Sequence, residues 1–194
     1  MCADNIINFP GVPHPGKALR IRVELVLMPE PVWRELLVPA NFTFWDLHVA
    51  IQDSFGWLDY HLHQFAVDDV SSGDPLRLGI PDDSDFHGSR EILPGWEHLI
   101  GNILRPDMPP FLYTYDFGDD WQHEILVLDQ LSRQDLASLP ICLAGAGRCP
   151  EEDCGGPPGW ADRFPALKNR PPFDPDAVVF DDPRERWIRS FGDE

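Results

Sequence analysis

Apolar and polar residues alternate along residues 19–28, LRIRVELVLM, which puts Leu19, Ile21, Val23, Leu25 and Leu27 on one side of an extended chain. A period of two predicts a half-buried strand. PEP at 29–31 then turns the chain, and VWRELLVP at 32–39 predicts a returning strand and so a hairpin. The period changes in 41–57, NFTFWDLHVAIQDSFGW. Phe44, Leu47, Ile51 and Phe55 fall three and four apart, which predicts a helix over 43–55 with one apolar face. Thr43, with Asp46 three residues on, reads as an acidic variant of the capping box, and Gly56 as the helix stop. Alternation returns in HLHQFAVDD, 61–69, with His61, His63, Phe65 and Val67 on one side.

Beyond residue 70 the pattern is broken by Gly, Pro and acids, with one short strand at LRLGI and a short helix at WEHLIGNIL, 96–104. Two strands, 111–117 and 121–128, flank the turn FGDDW. After them come a helical turn at RQDLASLP, a long Gly/Pro loop over 142–160, a short helix over 160–168 and a terminal helix over 182–192. This order predicts an α+β fold. It has a mostly antiparallel sheet with a helix packed across one face, a β-grasp-like core, and an irregular Pro/Gly-rich C-terminal region. Residues 1–18 read as a flexible leader. Residues 19–194 read as one domain, with a core over 19–131 and a C-terminal loop with short helices over 132–194. Trp45 and Trp57 flank the helix face and are expected to be buried.

Composition narrows the function classes. Fifteen basic residues face thirty-three acidic ones, a formal charge of −18. A field of that sign repels phosphate backbones, so nucleic acid is not an expected partner. Apolar runs are too short for a membrane span. The start lacks the basic flank and apolar run of a signal peptide, and four Cys are too few for a disulfide scaffold, so the expected compartment is the cytoplasm. G-x-S-x-G, Walker A, G-x-G-x-x-G and H-E-x-x-H are all missing.

Candidate chemistry lies in three places. Cys142, Cys149 and Cys154 are separated by six and four residues, without a close pair. Zinc would need a fourth ligand, such as His63 or His123; the alternative is reduced thiols packed in a compact loop. His61 and His63 lie two apart on a predicted strand and so point to the same side. With His123 or an acid from 116–124 opposite, they could hold a divalent metal; the alternative is core imidazoles bonded to backbone. The third place is YTYDFGDDWQHEI, 113–125. Its aromatic rows suit cross-strand pairing. In its turn Gly118 would supply a permissive φ, and Asp119 or Asp120 would cap backbone N–H groups. That leaves Asp116, Asp119, Asp120 and Glu124 crowded around one turn. We expect this turn, the strand carrying His61 and His63, and the loop 151–156 to meet. His123 or His63 would then donate to Asp116 or Asp153 and be held at a raised pKa.

PVWRELLVP, FTFWDLHVAIQDSFGWLDYHLHQF, YTYDFGDDWQHEI and CPEEDCGGPPGW occur in this order. Together they make the chain resemble the plasmid pRiA4b ORF-3-like family over roughly residues 19–190. The resemblance implies a compact α+β domain found on plasmids, near mobile elements and on chromosomes, with no established activity. The family's motif positions fall here on His61, His63, Asp116, Gly118, Asp119, Trp121, His123, Asp153, Cys154, Gly155 and Gly156. A resolvase label carried by some members gains nothing from this acidic chain with scattered basic residues.

The leading expectation is a non-enzymatic interaction or accessory domain with a protein partner. The alternative is a metal-dependent hydrolytic enzyme, with catalytic candidates His61, His63, Asp116, Asp119, His123 and Asp153. Its metal candidates are Cys142, Cys149, Cys154, His63 and His123. No cofactor other than such a divalent metal is expected.

Overall fold

A computed structural model describes residues 16–68, 73–81, 91–132, 140–163 and 172–192. The first strand, β1 (Lys17–Leu25), buries Leu19, Ile21, Val23 and Leu25, as its alternation requires. It ends short of Met28 because Leu27 takes a left-handed φ of 63° and stands exposed in the turn to β2 (Val32–Pro39). The remaining strands are β3 (His63–Asp68), β4 (Pro75–Gly79), β5 (Leu93–Pro94), β6 (Phe111–Tyr115), β7 (Trp121–Ser132) and β8 (Ile141–Ala146). They form one sheet in the order β5-β4-β3-β6-β7-β1-β2-β8. Every pairing is antiparallel except β4 with β5. The fold is therefore α+β.

Helix α1 (Phe44–Phe55) crosses one face of this sheet. Phe44, Leu47, Ile51 and Phe55 share a core with Leu19, Ile21, Phe65, Tyr113 and Ile125. Each such side chain contributes roughly 1.5–3 kcal/mol on leaving water. The expected cap is complete. Thr43 Oγ1 accepts from the Asp46 N–H at 3.1 Å, and Asp46 Oδ2 accepts from the Thr43 N–H at 2.7 Å. Gly56 closes the helix at a φ of 80°. Trp45 and Trp57 are buried.

Several expected elements shift. The helix expected at 96–104 is a 3-10 turn at Gly95–Glu97 followed by α2 (Ile100–Ile103). The expected loop 142–160 begins as β8 and ends in α3 (Gly156–Arg163), so the helix starts before residue 160; residues 164–168 lie outside the described residues. The strand expected over 111–117 stops at Tyr115, and β7 runs on to Ser132. Residues 1–15 of the expected leader and 133–139 of the expected helical turn also lie outside the described residues.

The terminal helix, α4 (Pro183–Phe191), docks on α1. Trp187 packs edge-on against Trp45, with ring centroids 5.0 Å apart, and Trp45 Nε1 donates to the Pro183 carbonyl at 2.9 Å. Arg186 joins Asp53 in a close ion pair and reaches Asp181 at 2.8 Å.

One buried cation fastens β2, β8 and the end of α1. Arg34 is 2% exposed. Its Nε donates to Ser54 O at 2.8 Å, Nη1 to Trp33 O at 2.8 Å and Ala146 O at 2.9 Å, and Nη2 to Gly147 O at 3.2 Å. The guanidinium stacks 3.6 Å from the Phe173 ring centre. A planar fork satisfies carbonyls in these directions, whereas an ammonium cannot. Arg34→Lys is therefore expected to cost about 2–4 kcal/mol, through carbonyls left unpaired. Urea unfolding of the two proteins checks this; a loss below about 0.5 kcal/mol, the scale of an ordinary surface change, would count against it.

Candidate functional site

A polar cluster lies where β3 begins and β6 ends. Tyr115, the last residue of β6, is buried by Trp57, whose ring stacks on it at 5.1 Å between centroids. Its hydroxyl accepts from the Tyr60 N–H at 3.0 Å and donates to Glu152 Oε1 at 2.5 Å. Glu152 Oε2 accepts from the Leu58 N–H at 3.0 Å, and Trp57 Nε1 donates to Pro150 O at 2.9 Å. Loop 57–62 and loop 150–155 are thus tied to the same strand end. Burial, helped by the neighbouring Glu152 carboxylate, holds the Tyr115 phenol well above its usual range, so it stays a donor.

The hairpin turn closes the third side. Asp116 takes a left-handed φ of 54°, and its Oδ1 accepts from the N–H groups of Gly118 and Asp119 at 2.9 and 3.3 Å. The positive φ expected at Gly118 belongs instead to Asp116 and Asp120, because the Asp116 carboxylate folds back as the cap. Asp119 Oδ2 accepts from the Gly155 N–H at 3.1 Å. A Cβ on Gly156 would lie 2.3 Å from Asp119 O, so only glycine allows this approach. The turn, the residues before β3 and loop 151–156 therefore meet, as expected.

The residues that face one another differ from those expected. His61 lies just before β3, outside the strand, and its Nε2 sits 3.1 Å from Asp153 Oδ1 and 3.6 Å from Asp116 Oδ2. His63, the first residue of β3, instead enters the core and stacks on His48 with ring centroids 3.5 Å apart. The two histidines do not share a site, because the strand begins between them. His123 is also absent from the cluster. It is wholly buried among Phe55, Trp57 and Tyr113, with centroids at 5.0, 5.2 and 5.1 Å. The expected pairing of His123 or His63 with Asp116 or Asp153 fails, and so does the expected rise in pKa. Burial pushes His123 down to about 3, against the opposing pull of the Tyr113 and Trp121 backbone. Burial, with His48 beside it, pushes His63 well below its usual value.

Among the described residues the cysteines do not gather with a histidine in a ligating set. Among the described residues the one set of three donor groups within ligating reach is His61, Asp116 and Asp153. Cys142 Sγ contacts Ala144 O, Cys154 is buried in the core, and burial pushes all three thiols above their usual value.

Sequence reading missed a second polar chain behind the cluster. Asp59 Oδ1 meets His48 Nε2 at 2.8 Å, His48 Nδ1 meets the Tyr113 hydroxyl at 2.8 Å, and Gln52 Nε2 donates to that hydroxyl at 2.8 Å. Nε2 of His48 faces the Asp59 carboxylate and Nδ1 the Tyr113 hydroxyl, so the ring bridges the two. Asp59 also lies 3.7 Å from Arg186 of α4. His48 lies on the helical stretch, where its spacing gave no sign that it faces Asp59.

Two clefts flank the cluster. One, of about 790 Å3, is bordered by Glu152, Asp153 and Phe173; the other, of about 600 Å3, by His61, Leu62, Ile80 and Phe191. Trp57, Leu58 and Tyr60 line both.

The architecture defines an α+β domain whose mostly antiparallel sheet, gripped by one long helix, carries a locked polar loop cluster at a strand end. The sequence profile described as plasmid pRiA4b ORF-3-like protein matches residues 17–186, and the chain belongs to that family. It is 31% identical over 152 residues to the uncharacterized protein y4hQ of Sinorhizobium fredii (strain NBRC 101917 / NGR234), covering 78% of this chain and 74% of that protein. The crystal structure of MM3350 from Methanosarcina mazei Go1, a protein of unknown function, superimposes with a TM-score of 0.74 at 30% identity. That match covers 84% of this chain and 98% of the other. Among the described residues no helix is long and apolar enough to cross a membrane.

The depressed imidazole of His123 has a consequence for stability. Its folded pKa, about 3, lies below the ordinary value of 6.5. In that interval the unfolded chain binds a proton that the native state refuses. This contribution is therefore complete above pH 6.5 and is lost as the pH falls toward 3. His123→Leu is expected to flatten the fall in unfolding free energy by about 1.4 kcal/mol per pH unit between about pH 6 and pH 4. Urea titrations across that range check it; an unchanged slope refutes the assignment.

Proposed function

We propose that the protein is a non-enzymatic binding module that docks a protein segment on the face formed by residues 57–62, 116–120 and 150–155. The observation that carries this reading is apolar exposure on locked loops. Leu58 is 61% exposed, Tyr60 70%, Leu62 38% and Phe117 49%, all beside the polar cluster. Large apolar side chains grouped in water on loops already held in place supply contact area with little ordering entropy still to lose. An accessory role tied to plasmids is part of this proposal and rests on the family's name alone.

Hydrolysis is the weaker reading, because the nearby carboxylates that could serve as general base hold the loops instead. Glu152 is bonded to Tyr115 and Leu58, Asp119 to Gly155, Asp120 to Gln122, and Glu151 to Arg148. Glu152, which accepts two such bonds, is thereby a poor proton acceptor.

Panning a phage-displayed random dodecapeptide library on the purified chain tests docking. The expected result is an enriched consensus that a Tyr60→Ser/Phe117→Ser double variant no longer selects while melting as the parent does. No enrichment, or a consensus indifferent to both changes, would refute the proposal.

Duplex DNA is expected not to bind at physiological salt, because the chain carries a formal charge of −18. Fluorescence anisotropy with a labelled duplex checks this; salt-sensitive micromolar binding would contradict it.

A further inference from the structure

We propose that His61, Asp116 and Asp153 form a divalent metal site at the centre of the docking face, with its remaining coordination positions open to water or to a bound partner. Each ligand comes from a different sequence motif, HLHQF, YDFGDDW or CPEEDC, and the three donor atoms lie within 4.8 Å of one another. The separations from His61 Nε2 are 3.1 and 3.6 Å. At metal–ligand bonds of about 2.1 Å, neighbouring donors stand about 3.0 Å apart in an octahedron and about 3.4 Å apart in a tetrahedron. The two imidazole–carboxylate separations therefore already fit ligands of a shared ion.

Two further observations point to a ligand. His61 Nε2 is shielded from water yet has no aligned hydrogen-bond partner among the described residues, although two carboxylate oxygens lie close to it. Asp116 is only 8% exposed, and the two N–H groups it caps are both taken by Oδ1, which leaves Oδ2 directed at His61. The backbones that carry the ligands are fixed to one another. The Asp116 N–H donates to Leu62 O at 3.0 Å, and Glu152, next to Asp153, is held by Tyr115. Asp153 itself is 69% exposed in its side chain, so the site opens outward.

The donor set selects the ion. One imidazole with two carboxylates suits Zn2+ or Mn2+. It is poor in sulfur for a soft ion, and an imidazole is unsuited to Ca2+ or Mg2+. A bound cation also relieves the repulsion between two facing carboxylates. This deepens the docking reading, since a carboxylate of a partner could complete the coordination sphere, but its test uses the ion alone.

Isothermal titration of the chelator-treated full chain with Zn2+ and with Mn2+ is the experiment, followed by absorption spectra with Co2+. The expected result is one ion per chain for at least one of the two metals. His61→Ala and Asp153→Asn should each weaken binding by at least about tenfold. Asp153→Asn should melt as the parent does, because its side chain is exposed. The Co2+ spectrum should lack thiolate charge-transfer absorption. No binding of either ion would overturn the proposal. So would binding that survives Asp153→Asn, or a thiolate band removed by Cys149→Ser or Cys154→Ser. Failed ion binding with peptide selection intact removes the metal site alone; ion binding without peptide selection removes the docking reading alone.

Discussion

The Tyr115 hydroxyl is the fixed point on which the polar face depends. It stands at the end of a strand in the middle of the sheet, so the fold sets its position. It accepts a backbone N–H from one loop and donates to a carboxylate of another, at Tyr60 and Glu152. A phenol does both at once, and burial keeps its proton in place. Two irregular segments distant in sequence thereby take one geometry without secondary structure of their own. Asp119, bonding to Gly155, adds the hairpin turn to the same assembly.

Beneath that face the interior is unusually rich in imidazole. His48, His63 and His123 are all buried. His48 is satisfied by Asp59 and Tyr113. His63 and His123 are held neutral by the absence of water around them. A neutral imidazole packs as a flat, half-apolar ring, and that is the role these two perform between aromatic neighbours. Asp59 joins this interior to the surface, since it also faces Arg186 on the terminal helix. The C-terminal segment is therefore tied to the core by charge as well as by the contact of Trp187 with Trp45.

Arg34 and the loop cluster illustrate two ways of handling polar groups away from water. Arg34 is satisfied by four carbonyls and an aromatic stack, and nothing about it calls for a ligand. His61 is the opposite case. Its Nε2 is shielded yet lacks an aligned hydrogen bond among the described residues, and it faces two acids.

Periodicity by itself determined the strand–strand–helix beginning, the capping box at Thr43 and Asp46, and the aromatic hairpin, because these depend on neighbours within a few residues. It also drew attention to Asp116, Asp153 and His61 as members of one neighbourhood, through the cost of crowding acids on a turn and glycines in a loop. The assignment of partners lay beyond it. A strand that starts two residues later than its alternation suggests, at His63, sends His63 inward and leaves His61 at the rim, and alternation cannot fix such a boundary. The left-handed φ falls on Asp116 because its carboxylate caps the N–H groups of Gly118 and Asp119, whereas the choice of Glu152 as the tether arises from a contact between segments about forty residues apart in sequence, which no local pattern records. Only the tertiary structure decided which imidazoles are core and which one meets the acids, because burial, not residue type, sets that chemistry.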